Sequence, residues 1–182
     1  MIAFVDFETR SESPLKYVGS YKYAEHPSTD VFCLSVKIGD HAPRIWLSPL
    51  SIRLFGDHGT DMPIIDDTEL QYIMSTAWEL HAHNANFERC LWHNVMVPRY
   101  GFEPVPIQKW RCTAAKAAVC NIPRSLDQAC KVMGLQSKDK VGYDVMMKMC
   151  KPRKALKADK LRDPDWESRV YWHETPEMLE SN

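Results

Sequence analysis

The chain has 182 residues, 45% of them hydrophobic and 26% charged, with 23 Lys/Arg against 24 Asp/Glu for a net charge of -1, which is the composition of a globular protein large enough for one domain. No apolar run approaches the ~20 residues that cross a bilayer and no basic-then-apolar leader opens the chain, so the expectation is an intracellular protein without a membrane partner. The six cysteines form no C-x-x-C pair, which argues against both a disulfide framework and a cysteine zinc site.

In chain order, Ile2 to Val5 is a continuous apolar run that predicts a strand buried on both faces and ending in Asp6 and Glu8. SESPLKYVGSYKYAEHPST, residues 11–29, predicts an irregular excursion. Val31 to Gly39 and Arg44 to Leu47 read as strands joined by GDHAP into a hairpin, followed by a loop from Ser48 to Pro63. Leu70, Ile73, Met74 and Ala77 repeat at helical spacing, which predicts a helix over Asp67 to Ala77 capped by Asp66 or Asp67. Glu79 to Ala85 predicts a strand that turns into a helix over Phe87 to Val97, ended by Pro98. A short strand at Trp110 to Thr113 leads into helices at Ala114 to Cys120, Ser125 to Met133 with Ser125 as cap, and Val141 to Cys150. Thr175 and Pro176 make a further helix start. This order predicts an α/β sandwich whose mixed sheet has one antiparallel strand.

Asp6 and Glu8 sit two residues apart on a strand, which puts both carboxylates on one face with Cβ atoms ~7 Å apart. Two such acids at the end of a buried strand repel each other and lose hydration, which favours a cation between them, and carboxylate oxygens suit Mg²⁺ or Mn²⁺. The plain alternative is a strand end that reaches solvent, and on D-x-E alone that alternative prevails. Asn84 and Glu88 stand at the next strand-to-helix junction. There Asn84 or Asn86 can simply cap the helix while Glu88 complements its dipole. Charge is segregated: residues 1–90 hold 7 Lys/Arg against 13 Asp/Glu, residues 91–182 hold 16 against 11, and Lys131 to Arg162 holds ten against three. That tract is a candidate contact for a polyanion, although on charge alone a solvated helix face is favoured. His81, His83 and His93 lack an evident fourth metal ligand, and the six tryptophans show no spacing that marks a stacking platform.

VDFET (Val5 to Thr9), followed at this distance by NANFE (Asn84 to Glu88), resembles the first two motifs of the DEDD 3'-5' exonucleases. SYKYAEHPSTDV, VPRYG, WRCTAAKAA, PRSLDQA and KPRK are similar, in the same order, to landmarks of the proofreading domain of bacteriophage family A DNA polymerases, so the resemblance runs from Ile2 to about Glu180. It implies an RNase H-like fold, an α/β mixed five-stranded sheet flanked by helices. The implied activity is two-metal hydrolysis of phosphodiester bonds at DNA 3' ends, with Asp6, Glu8 and Glu88 as catalytic metal ligands for Mg²⁺ or Mn²⁺. Thr9 and Arg10 are implied to touch the terminal nucleotide, and Asn84 and Phe87 to shape the site around it. The implied partners are a single-stranded DNA 3' end, held along the basic tract, and a polymerase domain or other replication protein. A phage-encoded copy would act in the bacterial cytoplasm.

One element of the family pattern is missing. No Tyr-x-x-x-Asp occurs in the chain and no histidine precedes an Asp by five residues, so the third acidic motif has no counterpart. The expectation is a single exonuclease-like domain over residues 1–182, cut short before that motif and low or absent in activity. The rival expectation is a non-catalytic fold of the same kind that binds nucleic acid or a protein.

Overall fold

The structure is a computed structural model and describes residues 1–56, 60–136 and 140–174. Five strands, β1 (Ile2–Arg10), β2 (Asp30–Ile38), β3 (Arg44–Leu47), β4 (Glu79–Ala82) and β5 (Trp110–Cys112), form one sheet in the order β3-β2-β1-β4-β5. β1 pairs antiparallel with β2 and parallel with β4, while β2–β3 is antiparallel and β4–β5 parallel. The sheet is therefore mixed, and β2 alone runs against the other four strands.

β1 departs from its expectation in a way that matters for the acids. It runs on to Arg10, so Asp6 and Glu8 lie inside the strand, and its burial alternates: Ala3, Val5, Phe7 and Thr9 are buried, whereas Ile2 and Phe4 are 40% and 42% exposed. The apolar run IAFV is thus a one-sided strand whose second face starts with partly open Ile2 and Phe4, and Asp6 and Glu8 follow them on that face. A bulge follows, because Glu8 pairs with Cys33 and Thr9 with Val31, which leaves Phe32 as the extra residue on β2.

Residues 11–29 contain a helix that the sequence expectation lacks, α1 (Leu15–Glu25), broken at Gly19, whose φ of 76° and ψ of 169° leave the helical region. Its Tyr23 and Ala24 are buried, and the weak apolar periodicity on either side of the break explains why the segment reads as irregular. The expected loop after Ser48 holds α2 (Pro49–Phe55). Ser48 caps it by accepting from Ser51 N at 3.1 Å, and Pro49 takes the first helical position. α3 (Asp67–Thr76) is capped by Asp66 Oδ1, which accepts from Glu69 N at 2.7 Å and contributes about 1 kcal/mol.

The helix after β4 does not stop at Pro98. It begins as α4 (Asn86–Leu91), widens into a π-helical stretch (Trp92–Met96), and resumes as α5 (Val97–Tyr100), ending at Gly101 in the left-handed region. Val97 N–H bonds Trp92 O, five residues back, and this wide turn lets the helix pass a residue with no N–H to donate.

Farther on come α6 (Thr113–Val119), α7 (Leu126–Val132) and α8 (Lys140–Met149). Ser125 occupies the N-cap of α7 but makes no side-chain capping bond. Residues 151–174, which carried no expectation of structure, hold α9 (Lys157–Arg162), a 3-10 turn (Trp166–Ser168) and a bridge between Arg153 and Tyr171. The helix start at Thr175 and Pro176 lies outside the described residues.

One face of the sheet carries the main core. Ala3, Val5 and Phe7 of β1 meet Leu70, Ile73 and Met74 of α3, Tyr23 of α1, and Leu91, Trp92, Val95 and Met96. Each large side chain buried there stabilises the fold by about 1.5–3 kcal/mol. A smaller cluster joins the bulged Phe32 to Leu50 of α2 and Met149 of α8, flanked by Val145 and Met146.

Candidate active site

The register sets which elements meet at the acids. Phe4 pairs with His81 and Ala82 with Cys112, so the level of Asp6, two residues beyond Phe4, falls just past the ends of β4 and β5. There the chain turns through Asn84, whose φ of 76° puts a non-glycine residue in the left-handed region, and its carbonyl accepts from Phe87 N at 2.8 Å. This turn delivers Glu88 to the first turns of α4, at the carboxyl ends of the parallel strands, where open α/β sheets commonly bind ligands.

Asp6 and Glu8 line one open pocket of about 410 Å³, walled on its other side by Gly142, Tyr143, Met146 and Met147 of α8 and by Cys150. Asp6 is exposed and Glu8 half-buried. Across the β1–β2 ladder Glu8 faces Cys33, whose thiol is pushed up to about 12, first by burial and then by the charges of Glu8 and Asp6.

Glu88 is the unusual member. It is 2% exposed, its Oε2 is buried without a hydrogen-bond partner, and its pKa is pushed up to about 8 by burial, with further upward contributions from the charges of Asp6 and Cys112. A carboxyl in that condition keeps its proton at neutral pH unless a cation joins it. Cys112 itself, directly before α6, has a thiol that burial would raise. Hydrogen bonds from the backbone of Ala115, Ala85, Asn84 and Ala114 outweigh that effect and lower it.

The structure thus brings Asp6 together with Glu8 in the pocket and with Glu88 through the field, but it separates the other expected site residues from them. Thr9 points to the opposite face of β1, is 6% exposed, and shares a 2.9 Å hydrogen bond with Tyr23 Oη. Arg10 pairs with Glu174 at 2.6 Å and lies 4.6 Å from the Trp172 ring centroid, with Phe32 on another side at 5.8 Å. Phe87 is half-buried with its ring 5.7 Å from that of Tyr23, and Asn84 is exposed on the turn. Thr9 and Arg10 are therefore occupied in holding the end of β1, and neither lines the pocket.

The histidines are accounted for by packing. His81 meets Glu79 at 2.7 Å, His83 bridges Thr113 Oγ1 and Arg124 O, and His93 meets Val105 O at 3.0 Å. Among the described residues no group of three or more His, Cys, Asp or Glu side chains is gathered closely enough to hold a metal ion, so Asp6, Glu8 and Glu88 do not converge on one centre. Sequence reasoning missed Cys33, Cys112, Tyr143, Met146 and Met147 as neighbours of the acids. Only Cys112 carried a signal, its place immediately before a helix start. No helix among the described residues is long and apolar enough to cross a membrane.

No family model and no curated protein matches the chain.

Proposed function

We propose that the chain is an RNase H-like 3'-5' exonuclease domain that acts on the 3' end of single-stranded DNA, with Asp6, Glu8 and Glu88 as ligands of Mg²⁺ or Mn²⁺. The reading is supported by the strand order with a central β1 and a reversed β2, by the two acidic motifs, and by the junction that puts Glu88 at the level of Asp6. The observation that carries it is the buried, unpartnered Oε2 of Glu88 within the field of Asp6. A neutral glutamine would serve packing there without the cost of a carboxylate, so an acid at this position calls for a cation.

Three carboxylates are the donor chemistry that Mg²⁺ and Mn²⁺ take, and the buried, unpartnered Oε2 of Glu88 is a donor atom of that kind, so the residue types fit the group although the three are not gathered around one centre here. Bound there, such ions supply Lewis-acid polarisation of a phosphodiester and a water of lowered pKa. The chain's own part is to orient the carboxylates from a rigid strand and a helix start. Asp6 and Glu8 line the pocket together, Asp6 also lies within the field of Glu88, and Glu88 would have to lose its proton to serve as a ligand. The basic residues of α8 and of the segment after it hold the phosphate backbone, which gives binding that depends on salt and not on sequence.

The lack of any Tyr-x-x-x-Asp in the sequence favours a second reading, a fold of this kind that binds DNA without cutting it. Incubation of 5'-labelled single-stranded DNA with Mn²⁺ decides between them. Shortening from the 3' end that drops at least about a hundredfold in Asp6→Ala is the expected result. Cleavage that survives the substitution refutes the metal assignment, and retention of intact DNA supports the second reading.

A further inference from the structure

A second pocket lies beyond α8. It encloses about 370 Å³, and four cations (Arg153, Lys154, Lys160 and Arg169) and two rings (Trp166 and Tyr171) line it together with Ala155 and a single acid, Glu167. Its cations and rings are paired. Lys160 Nζ lies 3.9 Å from the Trp166 ring centroid, and the Arg153 guanidinium lies 5.3 Å from that of Tyr171.

Arg153 is a frame member, because it donates to Asp159 at 2.6 and 3.3 Å and to Trp172 O at 2.9 Å, and its backbone N–H meets Tyr171 O at 2.8 Å. Those bonds hold Tyr171 in place, while the Trp166 backbone N–H meets Asp163 O at 3.3 Å. Lys154 and Lys160 are exposed, and Arg169 keeps 63% of its side chain in solvent while pairing with Asp163. Residues 150–171 hold seven Lys/Arg against four Asp/Glu. The pocket adjoins the one at the acids, because Cys150 lines the first and Arg153 the second, and three residues of chain span at most ~11 Å.

We propose that this pocket docks single-stranded DNA, seating one base against Trp166 and the neighbouring phosphates on Lys154, Lys160 and Arg169. An acidic peptide would use the cations and leave the rings idle, whereas a single strand uses both, since every base has a face that stacks on an aromatic ring. Stacking of a base outweighs an exposed contact between an ammonium and a ring. The entering base therefore displaces Lys160 from Trp166, and the released ammonium meets the adjoining phosphate. The inference rests on the nuclease reading only for the source of the strand, whose 3' end would lie at Asp6 and Glu8 while a nucleotide farther back occupies this pocket.

Fluorescence anisotropy with 5'-fluorescein oligo(dT) of 4 and 12 nucleotides, in EDTA to prevent cleavage, tests the proposal on the full chain. The 12-mer should bind about tenfold or more tighter than the 4-mer, Trp166→Ala should erase that advantage and Trp166→Phe should keep most of it. Lys154→Ala should lower the slope of log affinity against log salt by about one. Trp166→Ala with unchanged affinity and an unchanged melting curve overturns the proposal, as does displacement of the 12-mer by polyglutamate as readily as by unlabelled oligo(dT). Should Trp166→Ala fail to fold, Lys154→Glu decides in its place, with unchanged affinity refuting the pocket. If neither the wild type nor Asp6→Ala shortens DNA in Mn²⁺, the nuclease reading falls, and Trp166-dependent binding of the 12-mer still upholds the pocket.

Discussion

Glu88→Gln, studied in EDTA, isolates the cost of a buried acid. In the folded chain the Glu88 carboxyl holds its proton up to about pH 8, whereas in the unfolded chain it lets go near the ordinary 4.5. Between those values the folded state binds the extra proton, so the stability this group contributes is full below pH 4.5 and is lost as pH rises through 8. The gap, at 1.36 kcal/mol per pH unit, amounts to about 5 kcal/mol at full effect, a large share of the ~5–15 kcal/mol that holds a domain. Glutamine has nearly the shape of the protonated acid and no proton to lose, so its curve lacks this slope. Urea unfolding at pH 5, 6.5 and 8.5 should give two proteins of similar stability at the lowest pH and a variant several kcal/mol more stable at the highest. Parallel curves for the two proteins would refute the burial argument and with it the main support for a metal at this position.

Two other substitutions test how the site is held. Thr9→Val removes the partner of the buried Tyr23 hydroxyl and should cost about 1–3 kcal/mol in denaturant unfolding. Unchanged stability together with a loss of DNA affinity would return Thr9 to the role of a substrate contact. Gly101→Ala puts a side chain at φ 75°, where a Cβ meets no atom within 4 Å, so only backbone strain counts and the loss should be about 1 kcal/mol by thermal unfolding. A stabilised variant would mean that the end of α5 relaxes out of the left-handed region.

Much of the sheet is legible in the sequence because its signals are local. Alternation and turn residues give β2 and β3, and the Asp66 cap with its apolar repeat gives α3. The misreadings share a different cause. IAFV is apolar on both faces although only one is covered by the main core, so composition alone gives no warning that Ile2 and Phe4 stay partly open. Pro98 reads as a stop because the π-helical turn that accommodates it leaves no mark in residue type.

The candidate site was legible as residue types and not as contacts. Asp6, Glu8 and Glu88 could be named from the motifs, but the burial of Glu88 depends on β4 ending one residue short of the level of Asp6. Several of the stretches that carry the resemblance have structural roles that residue type does not announce. Arg99 and Tyr100 of VPRYG bond Thr29 O, Pro27 O and Asp30 Oδ1, which locks that corner onto the end of SYKYAEHPSTDV. Arg10 likewise follows the acids in sequence yet serves the chain's far end.

That last contact bears on the order in which the molecule assembles. Ser11 N already holds Cys150 O at 3.2 Å, and Arg153 closes the following segment on itself by bonding Tyr171 O and Trp172 O at 2.8 and 2.9 Å, so bringing Glu174 to Arg10 docks a segment that is already folded back. What that docking gains from Arg10 is one partly exposed ion pair and one cation–ring contact, about 1–2 kcal/mol together. A gain that small leaves the segment weakly docked, so residues 151–174 should release and re-dock many times while the sheet stays folded, and their amides should exchange with solvent far faster than those of β1. The backbone of the strand that carries the acids is held to its last residue by β2, with Arg10 opposite Asp30, and only the Arg10 side chain depends on the later segment.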